Sequence, residues 1–373
     1  MQREFPLEAG LIHLNHAAVG PWPRRAAEAV RRFAEENLHR GSLHYGAWLE
    51  TEARLRRRLA ALIGEEAGDI ALLKNTSEGL SVIAHGLSWR TGDQVVIPAG
   101  EFPSNRIVWE SLAPQGVRVI RVPLPLDEEA PEERLLAACT PRTRLLSVSA
   151  VDYATGLRLD LERLGRECRI RGILFVVDAI QWLGALPFDN RRIGADAVVA
   201  DGHKWMLGPE GLALFWCRRE LRERLTLHQF GWHMVEAPGD FDREEWRPAS
   251  SARRFECGSP NMVAIHALEA SLSLFGELGM EAVAKAVAAN VDHLVARILD
   301  HPRLEILSPE DPARRAGIVT FRHRRVSSEH IYRRLMEERI LCALRGGGIR
   351  FSPHCHNTPR QIDRALQRID AIS

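Results

Sequence analysis

Short apolar runs bounded by turn residues alternate with longer stretches of helical periodicity through the first two thirds of the chain. The runs include DQVVIPAG near Val95, VRVIRVPL near Val119, RLLSVSAV near Leu146, ILFVVDA near Val176 and DAVVADG near Val198. Most are apolar on both faces, as parallel strands covered by helices are. Between them lie helix-periodic segments at 48–63, 78–88, 104–114, 131–139 and 160–171. Strand–helix–strand repetition at this spacing predicts crossover units and an α/β fold with a mostly parallel sheet.

The last third has a different pattern. A long helical stretch over roughly 261–299 is rich in Ala, Leu and Val, and short strands (IVTFRH, ILCALRGG) with helices at 327–338 and 359–371 follow it. This predicts a smaller α+β lobe on the main sheet. The expected organisation is an N-terminal segment over 1–20, a large domain over 21–260 and a small C-terminal domain over 261–373. Segment 228–251 lacks periodicity and clusters Pro, Gly and Asp, so it is expected to be a long loop, with Trp232 and Phe241 as candidates for a pocket mouth or a subunit contact.

Composition narrows the function. The 373 residues carry 50 Lys plus Arg against 49 Asp plus Glu, a net charge of +1. A nucleic-acid partner is not expected without a basic excess. No apolar run reaches the roughly 18 residues that span a bilayer. The six cysteines are scattered without CxxC spacing, which fits reduced thiols in a cytoplasmic protein. His354 and His356 flank Cys355, but no second ligand pair sits at a recognisable spacing, so no metal is expected.

Three strand ends carry candidate chemistry. Asp178 closes the run ILFVVD, at the carboxyl end of a buried strand, where α/β proteins place ligands; alone it reads equally well as a helix cap. The run DAVVAD ends in Gly202, His203 and Lys204. Partial burial there would lower the lysine pKa and make its amine a usable nucleophile. In LLKNTSEGLSVIA a helix opens near Thr76 and Ser77, whose hydroxyls and free N–H groups suit a phosphate; for this tetrapeptide alone a plain cap is the simpler reading. A lysine, an acid and a phosphate cradle are together what pyridoxal phosphate (PLP) requires.

These motifs, with RFECGSPN (254–261) and RGGGIRFSPHCHNT (345–358), resemble the class V aminotransferase family, which includes cysteine desulfurases, selenocysteine lyases, kynureninases and isopenicillin N epimerase-like proteins. The resemblance runs from HLNHAAVGPWP to SPHCHNTPRQID and implies the PLP-dependent transferase fold of type I. By its motifs Lys204 would carry the cofactor as a Schiff base and serve as the acid–base at the substrate α-carbon. Asp178 would face the pyridine nitrogen and Gln181 the phenolic oxygen. Thr76, Ser77 and His203 would bind the phosphate, and Phe102 would stack on the ring as in kynureninase. Gly258 and Ser259 match the pair that reaches the neighbouring subunit's phosphate, which implies a homodimer. Arg350 would grip the α-carboxylate of an amino-acid substrate, and Asn15, His16 and Ala17 would border it.

The departures bear on the reaction. Cysteine desulfurases keep a catalytic cysteine on a loop shortly before the carboxylate-binding arginine, whereas 344–350 reads LRGGGIR; Cys342 and Cys355 are expected to be ordinary thiols. DYATG (152–156) follows kynureninase more closely than the desulfurases. Asp201 replaces a small residue, and a carboxylate near a phosphate is repulsive unless it points away. The expected reaction is a C–S or β-elimination-type lyase, with transamination and epimerisation as alternatives. A non-catalytic PLP-binding regulator is disfavoured by the carboxylate clamp, and a nicotinamide dehydrogenase by the absence of an early GxGxxG.

Overall fold

The computed structural model describes residues 1, 3–126 and 130–372. The five apolar runs form parallel strands: Gln94–Pro98, Arg118–Val122, Thr143–Ser149, Leu174–Asp178 and Ala197–Asp201. Two further strands complete a seven-stranded sheet. Ala213–Cys217 pairs antiparallel with Ala197–Asp201, and Ile70–Leu73 pairs antiparallel with Ala213–Cys217 at the edge. Two reversals restore direction, so Leu73, Asp178 and Asp201 end their strands at one edge of the sheet.

Side-chain alternation divides the core between the two faces. Val95, Ile97, Leu145, Val176 and Val199 pack in one cluster; Val96, Leu146, Val148, Phe175, Val177 and Val198 pack in the other. Helix Thr76–Gly86 lies on the first face. It approaches closely because residue 79 is glycine, where a Cβ would stand 2.6 Å from Val199 Cγ1.

A second, four-stranded antiparallel sheet has the order Ala343–Arg345, Gly348–Phe351, Val319–His323, Leu304–Ile306. Its first two strands are joined by Gly346 and Gly347 at φ 57° and 78°, the left-handed pair that a two-residue hairpin requires. Ile349 and Phe351 face the core, so Arg350 lies on the opposite face by alternation.

The helical stretch expected over 261–299 is two helices, Met262–Leu278 and Met280–Leu299. Gly279 at φ 78° separates them, a backbone state that breaks helical continuity and favours glycine. Helix Met262–Leu278 packs on Arg24–Arg40 and Tyr45–Ile63, two helices of the first part of the chain. Helix 104–114 is shorter than expected: it ends at Glu110 and is followed by a 3-10 turn at Ala113–Gln115. The ILCALRGG run is interrupted at Cys342, between strands Ile340–Leu341 and Ala343–Arg345. Segment 228–251 is irregular, apart from an isolated bridge between Val235 and Pro248. Among the described residues, no helix is long and apolar enough to cross a membrane.

Candidate active site

Lys204 and Asp178 come together at the sheet edge because both close buried strands or begin the turn just beyond one. Each is almost fully buried. Burial lowers the Lys204 amine to about 8, against a smaller opposing pull from Asp178. Burial likewise raises the Asp178 carboxyl to about 6, while a bond from the Ile180 N–H (3.0 Å) and the nearby lysine favour its charged form. The Lys204 Nζ lies 5.5 Å from the centroid of the Phe102 ring. The turn beyond the lysine holds Leu207 at φ 59°, which a non-glycine residue adopts only when its surroundings impose it. Here Leu207 is fully buried and Gly208 N–H bonds the Gly202 carbonyl at 2.9 Å.

Helix Thr76–Gly86 begins at the same edge. Asn75 caps it, accepting from the Glu78 N–H at 2.9 Å. Thr76 is buried, and its Oγ1 has no hydrogen-bond partner among the described residues. An orphaned buried hydroxyl costs roughly 1–3 kcal/mol, which an anion at the helix start would recover. Ser77 Oγ is bonded to Ser104 Oγ at 2.8 Å. His203 Nδ1 faces Asp201 Oδ1 at 3.0 Å, an ion-pair distance without hydrogen-bond alignment. The Asp201 carboxylate is thus set against the Nδ1 side of the imidazole.

Arg350 reaches the site from the second sheet. Its Nη1 donates to the Tyr153 carbonyl at 2.6 Å and its Nη2 to Asn15 Oδ1 at 3.4 Å, while the buried Nε has no partner. Burial lowers this guanidinium to about 10, so it remains charged at neutral pH; among the described residues, its hydrogen bonds go to a carbonyl and an amide oxygen rather than to a carboxylate.

The N-terminal segment closes one side. Ile12–His13 pairs with Ile340–Leu341, His16 Nδ1 meets the Ser352 carbonyl at 2.9 Å and Ala17 N–H donates to Ser352 Oγ at 3.0 Å. Gln181 Nε2 donates to the Ala17 carbonyl at 3.0 Å, and Gln181 Oε1 accepts from Trp205 Nε1 at 2.8 Å. Gly20 N–H donates to the His203 carbonyl at 2.8 Å; a Cβ at Gly20 would stand 2.4 Å from the Lys204 carbonyl oxygen. Sequence reasoning missed Gly20, Trp205 and the bracing role of Glu101. Glu101 accepts from the Ser149 N–H at 2.6 Å and from the Ser149 hydroxyl, and Ser149 is the register partner of Asp178. Burial raises the Glu101 carboxyl to about 8.

Gly258 and Ser259 make none of the contacts described above. Ser259 is exposed, and nothing lies within 4 Å of a Cβ built on Gly258. Cys342 is buried and Cys355 half-buried, and desolvation pushes both thiols up to about 12. His354 Nε2 meets the Trp205 carbonyl at 3.1 Å and its Nδ1 accepts from the Cys355 N–H at 2.7 Å, so both ring nitrogens are engaged. Elsewhere, Glu52, His233 and Glu256 converge, and Arg56 ion-pairs with both carboxylates.

The aminotransferase class-V family profile matches residues 12–364. The chain belongs to the class-V aminotransferase family. That family is one of PLP-dependent enzymes, and PLP is the cofactor of this one. The chain is 30% identical to a probable cysteine desulfurase of Aeropyrum pernix, covering 98% of this chain and 90% of that protein. It is also 30% identical to the isopenicillin N epimerase of Streptomyces clavuligerus, over 98% and 96% of the two chains. A kynureninase of Deinococcus radiodurans is 27% identical over 86% and 80%. In fold, the chain is similar to the cystine C-S lyase C-DES, solved with its product cysteine persulfide (TM-score 0.90, 24% identity, 98% of each chain). It is also similar to the apo cysteine desulfurase of Thermococcus onnurineus NA1 (TM-score 0.87, 22% identity, 99% of this chain and 96% of that one).

The residues present fit PLP. A buried lysine with a lowered pKa, a buried acid on the same sheet edge and an orphaned threonine hydroxyl at a helix start are the three contacts the cofactor needs.

Proposed function

We propose that this enzyme is a lyase that breaks a carbon–sulfur or related carbon–heteroatom bond in a free α-amino acid. The observation that carries the reading is the burial of Lys204 and Arg350 on facing elements, an amine and an unmatched cation arranged for the α-carbon and α-carboxylate of one substrate.

Bound PLP supplies an electron sink for bond breaking next to the substrate nitrogen. Lys204 would hold it and would also move the α-proton; a pKa near 8 suits both tasks at neutral pH. Arg350, steadied by the Tyr153 carbonyl and Asn15, orients the carboxylate, and His16 and Ala17 fix the segment beside it. Asp178 would pair with the cofactor's ring nitrogen and favour its protonated form. The second N–H of Gln181 is available to the phenolic oxygen. Thr76, Ser77 and His203 would hold the phosphate, and Phe102 would cover the ring. The exposure of Ser259 and the open space around Gly258 support their reaching the phosphate site of a second copy, in a homodimer. Six unpaired thiols accord with a cytoplasmic location.

Direct persulfide formation on a protein cysteine is disfavoured. The two-residue Gly346-Gly347 hairpin leaves no extended loop before Arg350, and Cys342 and Cys355 are held protonated. The relationship to an isopenicillin N epimerase supports a second reading, in which the α-proton is returned to the opposite face.

Incubating the holoenzyme with a panel of amino acids, while recording its absorption spectrum and products, tests the proposal. Recovery of the starting spectrum with accumulation of sulfide, ammonia or another leaving group is the expected result. Conversion to the pyridoxamine form would instead mean transamination, and appearance of the inverted α-configuration carrying a solvent-derived hydrogen would mean epimerisation.

A further inference from the structure

The turn Asp152–Gly156 is held by its own side chains and from the second sheet and its approach. Asp152 Oδ1 accepts from the N–H groups of Ala154 (3.0 Å) and Thr155 (2.6 Å) and from the Thr155 hydroxyl (2.7 Å). From the second sheet and its approach, Thr320 Oγ1 donates to the Ala154 carbonyl and Ser308 Oγ to that of Thr155. Gly156, at φ 78°, lies so near Ile318 that a Cβ would stand 2.5 Å from its carbonyl oxygen.

Tyr153 is presented by this fixed turn. Its carbonyl is taken by Arg350, but its side chain is not part of that bond. The ring instead meets Phe102 edge to face, with centroids 5.2 Å apart and planes at 81°. Phe102 in turn lies 5.5 Å from Lys204 Nζ, and the phenol is within electrostatic reach of the Arg350 guanidinium. The two rings make an aromatic corner beside the lysine and the arginine.

We propose that the Tyr153 ring is a specificity-determining contact of this site, and that the corner it makes with Phe102 selects amino acids with a neutral, polarisable side chain of the thioether or disulfide class. The inference rests on the reading of Lys204 and Arg350 as the amino-acid site. With the α-carboxylate on Arg350, a substrate side chain directed at the corner meets ring faces and edges, to which sulfur is attracted. A side-chain ammonium is repelled by the guanidinium of Arg350 and loses water to apolar surface. A side-chain carboxylate competes with the α-carboxylate for the same guanidinium and is desolvated if it stays at the rings.

The test uses full-length Lys204→Ala protein loaded with PLP, in which an amino acid binds without turning over. Glycine, S-methylcysteine, aspartate and ornithine are titrated by absorption. S-methylcysteine should bind about tenfold more tightly than aspartate or ornithine, the scale of good sulfur–aromatic contacts. Adding Tyr153→Ala should bring the three together while leaving glycine unchanged. Adding Tyr153→Phe, which keeps the ring and guards against a folding defect, should preserve the preference. The inference is overturned if the parent shows no preference, if Tyr153→Ala retains it, or if Tyr153→Phe loses it. In those cases glycine binding still upholds the amino-acid site. If not even glycine binds, the reading of Lys204 and Arg350 fails, and this inference with it.

Discussion

Gln181 donates to the carbonyl of Ala17 across 164 positions of sequence, which ties the N-terminal segment to the floor of the site. The same segment touches the lysine turn through Gly20, where no side chain fits: a Cβ would lie 2.4 Å from the Lys204 carbonyl oxygen and 2.8 Å from Leu207 Cδ2. Gly20→Ala is therefore expected to displace the segment, at a cost of about 1–3 kcal/mol for overpacking. Thermal unfolding and PLP affinity should both fall. A variant with unchanged melting temperature and cofactor affinity would mean that this contact is unimportant.

Arg350 should contribute to substrate binding rather than cofactor binding. Arg350→Ala is expected to weaken amino-acid binding by roughly 2–5 kcal/mol, with PLP affinity little changed. Arg350→Lys should not restore it, since an ammonium cannot reproduce a two-pronged contact. Steady-state kinetics across the three proteins measure this, and an unchanged KM in Arg350→Ala would place the substrate elsewhere.

The lysine predicts a pH dependence. Burial lowers the Lys204 pKa to about 8, so its neutral, nucleophilic fraction grows as pH rises through that value and is nearly complete one to two units above it. The rate at which apoenzyme takes up PLP should rise with pH, with a midpoint near 8, and then level off. A midpoint near the ordinary lysine value of roughly 10.4 would show an amine in water rather than a buried one.

Cys342→Ala and Cys355→Ala should retain turnover. Both thiols are held protonated by desolvation, and the thiolate is the reactive form. Truncating buried Cys342 should show up as a small loss of stability. Loss of activity in either correctly folded variant would restore a persulfide mechanism.

Much of this arrangement was legible in the chain because buried strands advertise themselves. Val95, Leu146, Val176 and Val198 sit in runs that are apolar on both faces, and the residues closing two of those runs bring Asp178 and Lys204 to one edge. Strand Ala213–Cys217 was not legible, because its direction depends on folding back after the lysine turn. The helical stretch at 261–299 gave no sign of its break because its composition is continuous; only the left-handed Gly279 divides it. Asp201 looked misplaced until its contact with His203 Nδ1 was known. Gly20, Glu101 and Tyr153 act through partners 48 to 197 positions away or through close backbone approach, and no local pattern encodes such contacts.

The attachment of the cofactor to Lys204 can be tested directly. The chain has only three lysines, Lys74, Lys204 and Lys285, which makes the test direct. PLP-loaded protein would be reduced with borohydride, which fixes the cofactor to the amine that holds it, then digested and mapped by mass spectrometry. The added mass is expected on the peptide containing Lys204. Modification confined to Lys74 or Lys285, or no modification of a PLP-saturated protein, would contradict it.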